Sequence, residues 1–74
     1  HPNYYYNCAA EAWGALGNGE MALKYVTLAA EKGWAALEHT RQVERLQLLH
    51  GTPEWEQVLA RIEQNAALPN RGEE

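Results

Sequence analysis

The tripeptide Gly17-Asn18-Gly19 limits the fold more than any other stretch. Before it, Tyr6, Ala9, Ala10 and Trp13 recur at i, i+3, i+4 and i+7, and after it Ala22, Tyr25, Val26 and Ala29 repeat that spacing. This is the rhythm of a helix with one apolar face. Gly17 suits the left-handed residue that closes a helix, and Asn18 suits the cap that opens the next. A link this short forces two helices to lie antiparallel and side by side. Ala9 and Ala10 on one, with Ala22 and Ala29 on the other, let the axes approach closely. Tyr6 and Trp13 fill the ends of the contact.

The first helix carries a second apolar set, Tyr5, Cys8, Ala12 and Ala15, which leaves Asn7, Glu11 and Gly14 as a narrow polar or bare strip. Such a helix is expected to be flanked on two sides, with Asn3 as its cap and Cys8 as a buried, inert thiol. Tyr4, Tyr5 and Tyr6 project about 100° apart, so they cannot share one core. Tyr5 and Tyr6 are expected to face inward and Tyr4 to lie on the polar strip. The second helix, about 19–32, should stop at Gly33 with Trp34 folding back on its last turn. A third, about 40–50, has Thr40 as its expected cap and Val43, Leu46 and Leu49 at every third residue. Thr52-Pro53-Glu54 is a cap, a first-turn Pro and a first-turn acid. Trp55, Val58, Leu59 and Ile62 then form an apolar stripe, and Pro69 prevents continuation. No alternating run suggests a strand. The expectation is an all-α array of about four helices in one domain over residues 1–68. A helix pair occupies 3–34, divergent capping helices occupy 35–68, and 69–74 form a flexible tail.

Composition removes several functions. All ten acids are Glu, the net charge is −4, and six Lys and Arg are scattered singly. No basic stripe invites nucleic acid, and no apolar run reaches membrane-spanning length. Cys8 is the only cysteine, and His1, His39 and His50 lie far apart in sequence, so neither a disulfide nor a metal or cofactor site is expected. No two Glu are marked out as an acid and base, Cys8 lacks a neighbouring His, and Arg41 and Arg45 read as a solvated face. Trp13, Trp34 and Trp55 sit where core residues belong. The chain begins with His1 rather than Met, so it is expected to be processed, cut or taken from a longer polypeptide.

"YYYNCAAEAWGALGNGEMALKYVTLAAEKGW" resembles a tetratricopeptide repeat. Tyr6-x2-Ala9-Ala10-x2-Trp13 has the spacing of that repeat's first helix, Gly17 is its helix-ending Gly, and Ala22-x3-Val26-x2-Ala29 has the spacing of its second. A shift by the family's period of about 34 residues places Glu56 under Ala22, Glu63 under Ala29 and Gln47 under Trp13, so the second half is not another copy. "LLHGTPEWEQVLARI" is instead similar to the divergent tail that follows a last repeat, through Leu49, His50, Pro53, Trp55, Val58 and Leu59. The resemblance implies a non-catalytic module that binds a partner protein or peptide. In this family the corresponding face of the first helix lines a concave groove, which makes Tyr4, Asn7 and Glu11 the groove candidates. The exposed Tyr could equally cover a neighbouring repeat or a second copy of the chain. Repeats that clamp a C-terminal carboxylate use Lys, Arg and Asn on this face, and here there is no Lys or Arg. The alternative implied role is a structural C-terminal cap of a larger protein, its charged outer face supplied by Glu54, Glu56 and Glu63.

Overall fold

A computed structural model describes residues 2–67. Among them it shows four α-helices and one 3-10 helix and no strand, so the fold is all-α. The helices are α1 (Pro2–Ala15), α2 (Gly19–Glu31), α3 (Leu37–Gln42) and α4 (Pro53–Ala67), with the 3-10 helix at Glu44–Leu49 between α3 and α4. The expected Pro69 stop and the 69–74 tail lie outside the described residues.

The short link works because Asn18 serves both helices. Gly17 takes φ 80°, a conformation that costs other residues a steric penalty. Asn18 N–H then donates to the Trp13 carbonyl at 3.0 Å, closing α1, while its side-chain oxygen accepts from Met21 N–H at 3.1 Å, opening α2. The pair is antiparallel. Asn3 Nδ2 donates to the Lys32 carbonyl at 3.4 Å, and Tyr6 stacks on Tyr25 with ring centroids 6.3 Å apart. Ala10, Ala22, Val26 and Ala29 are fully buried. The far end of α2 is closed by Gly33 at φ 101°, with Trp34 N–H donating to the Ala29 carbonyl at 2.9 Å. Asn3 is not a cap: α1 already begins at Pro2, and Asn3 spends its amide on the partner helix.

The segment expected as one helix over 40–50 is two. Val43 is extended (φ −67°, ψ 126°) and separates α3 from the 3-10 helix. Spacing of three is the period of a 3-10 helix, and Leu46 and Leu49 use it to reach the core. Thr40 is not a cap either. It is buried inside α3, accepting from the Trp34 indole N–H at 2.9 Å and donating to the Ala36 carbonyl at 2.7 Å. Thr52 caps α4 as expected, its hydroxyl accepting from Trp55 N–H at 3.2 Å. Trp55, Val58 and Ile62 complete the core, and Leu59 packs half-buried against it.

The two faces of α1 are exchanged relative to expectation. Tyr5, Cys8, Ala12 and Ala15, expected to be covered, are exposed. Asn7, 3 % exposed, lies on the buried side beside Ala10. Gly14 is the reason. A Cβ there would lie 1.9 Å from the Arg45 carbonyl oxygen, so its absence lets the backbone of the 3-10 helix settle directly on α1. The bare strip is where the chain packs on itself.

Candidate functional site

Two shallow hollows run along α1, both bordered by Cys8 and Glu11. One, of about 300 Å³, lies between Tyr4, Asn7, Cys8 and Glu11 on one wall and Trp34, Ala36 and His39 on the other. The second, of about 350 Å³, continues past Cys8, Glu11 and Ala12 to Arg45. α1 supplies one side of this trough. The α2–α3 loop, α3 and the 3-10 helix supply the other.

Glu11 holds the floor together. Its Oε2 accepts from Asn7 Nδ2 at 2.9 Å and from His39 Nε2 at 2.7 Å, and its Oε1 faces an Arg45 guanidinium nitrogen at 3.4 Å. Next to a carboxylate, His39 Nε2 must carry the hydrogen. Burial pushes the Glu11 carboxyl upward, but the hydrogen bonds from His39, Asn7 and Arg45 and the His39 charge outweigh it, and the group titrates below its ordinary value. One carboxylate thus ties α1 to α3 and to the 3-10 helix. Tyr4 stands exposed at one end, its phenol pushed above the ordinary value by the neighbouring Cys8 sulfur.

Asn7 has one unmet need. The carboxylate fixes its amide orientation, because only Nδ2 can donate to Glu11. Its Oδ1 is buried and accepts no hydrogen bond from the protein. Leaving a buried acceptor unsatisfied costs about 1–3 kcal/mol.

All three groove candidates border the same hollow, but not as an open concave surface. Asn7 is buried and Glu11 is engaged by this chain's own residues, because α3 and the 3-10 helix cover the strip. Tyr4 alone is freely exposed. Cys8, expected inside, borders the trough from the surface. The opposite wall, Trp34, Ala36, His39 and Arg45, has no signal in the sequence near α1. These residues follow Glu11 by more than twenty positions and arrive through the turn at Gly33. A larger concavity of about 420 Å³ between α2 and α4 includes Leu23, Thr27, Glu31, Glu54, Val58 and Arg61, and no buried polar atom without a partner is found there among the described residues.

The Glu11 tie predicts acid sensitivity. A carboxyl whose folded-state pKa is depressed stabilises the fold above its unfolded value, about 4.3, and that contribution disappears as pH falls through the lower folded value. Thermal midpoints by circular dichroism should therefore be flat at neutral pH and fall as pH drops through and below the ordinary carboxylate range, about 4.3. Glu11→Gln should start about 1–2 kcal/mol less stable and show a shallower acid slope. Equal slopes in the two proteins would mean that Glu11 does not make these bonds.

The fold and site define a small all-α protein in which the polar cluster around Glu11 sits beside a trough. Compared with known proteins, the chain matches no protein-family model, no curated protein and no solved structure. No helix of the described residues is long and apolar enough to cross a membrane, and no group of three His, Cys, Asp or Glu among them could hold a metal.

Proposed function

We propose that this chain is a protein–protein interaction module of the helical-repeat type, which takes a short segment of a partner protein or peptide into the trough beside α1 without catalysis. The observation that carries the reading is the hollow walled by Tyr4 and Trp34, with the Asn7–Glu11–His39 cluster along it. A peptide offers N–H donors and apolar side chains together. Tyr contributes large contact area with little entropy to lose. The resemblance of residues 4–34 to a tetratricopeptide repeat supports the same reading.

Panning a peptide library against the chain should yield ligands whose binding shifts the NMR signals of Asn7, Glu11, Trp34 and His39. Tyr4→Ala should weaken them at least about tenfold, as loss of an aromatic anchor does, with unchanged helicity. Ligands that instead shift residues of the α2–α4 concavity, or that bind the Tyr4→Ala protein equally well, would count against the trough. One observation favours the alternative of a terminal cap: Glu54, Glu56 and Glu63 are all exposed on α4, the polar outer face that a capping helix needs. If panning yields no ligand, that second reading gains.

A further inference from the structure

The exposed face of α1 is a second contact surface, which meets the trough along Cys8 and Ala12 and extends beyond it to Tyr5 and Ala15. Tyr5, Cys8, Ala12 and Ala15 are all exposed, and their 3-4-3 spacing is that of a coiled-coil seam. Leu16, the next residue, is 76 % exposed, and Tyr5 is 70 % exposed. We propose that this seam pairs with the same seam of a second copy, the two α1 helices running antiparallel about a two-fold axis.

Three observations select a second copy and this orientation. The seam is bulky at one end and small at the other. Antiparallel pairing sets Tyr5 against the partner's Ala15 and Cys8 against the partner's Ala12, so every layer joins a larger side chain to alanine. Parallel pairing would stack Tyr5 on the partner's Tyr5 and leave the alanine end open. Charge agrees. The chain carries net −4, yet Glu11 is the only charged residue of α1 and it is turned away, bonded to His39 and Arg45. The exposed surfaces of α2 and α4 carry Glu20, Glu31, Glu54, Glu56 and Glu63, so this is the helix face on which two copies meet without acid against acid. Last, antiparallel helices bring opposite dipole ends together, and Cys8 and Ala12 at the centre are small enough for close approach. With α1 spanning Pro2–Ala15, this pairing overlaps residues 5–15 of each copy, so the contact is about 16 Å long and the dimer is weak.

Sedimentation of the whole chain from micromolar to millimolar concentration tests the pairing. The expected result is a monomer–dimer equilibrium with Kd on the order of 100 µM, as for the smallest specific interfaces. Tyr5→Glu should raise Kd at least about tenfold with the same circular dichroism. Orientation is read by crosslinking. In the antiparallel dimer Cys8 lies beside position 12 of the partner, within disulfide reach. Ala12→Cys with Cys8 retained should therefore give a covalent dimer under mild oxidation, joined between positions 8 and 12, whereas the natural sequence gives little. A strict monomer at millimolar concentration overturns the proposal. So does a dimer that survives Tyr5→Glu, or one that the natural sequence crosslinks through Cys8 alone as readily as the variant. Peptide binding measured on the monomeric Tyr5→Glu protein keeps this test separate from that of the trough.

Discussion

Gly14→Ala should remove most of the stability of this protein. In an ordinary helix interior the change is favourable by about 1 kcal/mol, so the expected sign is reversed. The added Cβ would sit 1.9 Å from the Arg45 carbonyl oxygen and 2.9 Å from its carbonyl carbon. Both are backbone atoms, and no rotamer change relieves the clash. Relief requires the 3-10 helix to lift from α1, which uncovers Leu46, fully buried in the core, and strains the Arg45–Glu11 contact. Overpacking of this kind costs about 3 kcal/mol, against a total of about 3–5 kcal/mol for a domain this small. Urea unfolding followed by circular dichroism reads the difference directly. Gly17→Ala is a useful contrast, because its φ of 80° strains a side chain although nothing lies within 4 Å. It should cost only about 1–2 kcal/mol. A Gly14→Ala protein as stable as the parent would mean that the 3-10 helix does not rest on α1.

Asn65→Ala is expected to rank second, with a loss of about 2–3 kcal/mol. Asn65 is buried near the C-terminal end of α4, and its Nδ2 donates to the carbonyls of Ala30 and Trp34, both at 2.8 Å. Those acceptors lie where α2 ends and the chain turns toward α3. The Ala30 carbonyl has a second donor in Gly33 N–H at 3.1 Å. Among the described residues the Trp34 carbonyl has only Asn65. The variant leaves it without a donor and unpins α4 from the α2–α3 turn. Asn65→Leu should lose about as much, because extra apolar area does not supply the missing N–H. A loss below about 0.5 kcal/mol in both, the range of an ordinary surface change, would show that the amide is not a tie.

Both buried Asn residues were hidden in plain letters. Asn65 stands three residues after Ile62 and seven after Val58, so it continues the apolar stripe of α4. Asn7 stands three before Ala10 and seven before Gly14 in the same way. A polar letter in register with a buried stripe is the signal that each is a buried tie, yet that register alone names no acceptor. The acceptors, Ala30, Trp34 and Glu11, are a helix-end carbonyl, a loop carbonyl and a carboxylate, and a period shows none of them. Val43, Leu46 and Leu49 were legible as an inward row. The break at Val43 was not, because it carries neither Gly nor Pro. The trough was half visible: Tyr4, Asn7 and Glu11 share a side of α1, but Trp34, His39 and Arg45 come to it only through packing.

The sequence by itself determined where α1 and α2 stop, where α4 starts and that α1 and α2 run antiparallel. Positive φ at Gly17 and Gly33, the Asn18 and Thr52 caps and the first-turn Pro53 act within one turn of chain, so their effects need no distant partner. Only the tertiary structure decided which side of α1 is buried. Of the two competing arcs, Tyr5-Cys8-Ala12-Ala15 is the more apolar, so periodicity favours the arc that the fold leaves exposed. The choice fell to the arc with Gly14, because burial there admits a second backbone and lets Glu11 bind two elements at once, a gain that exists only when α3 and the 3-10 helix are in place.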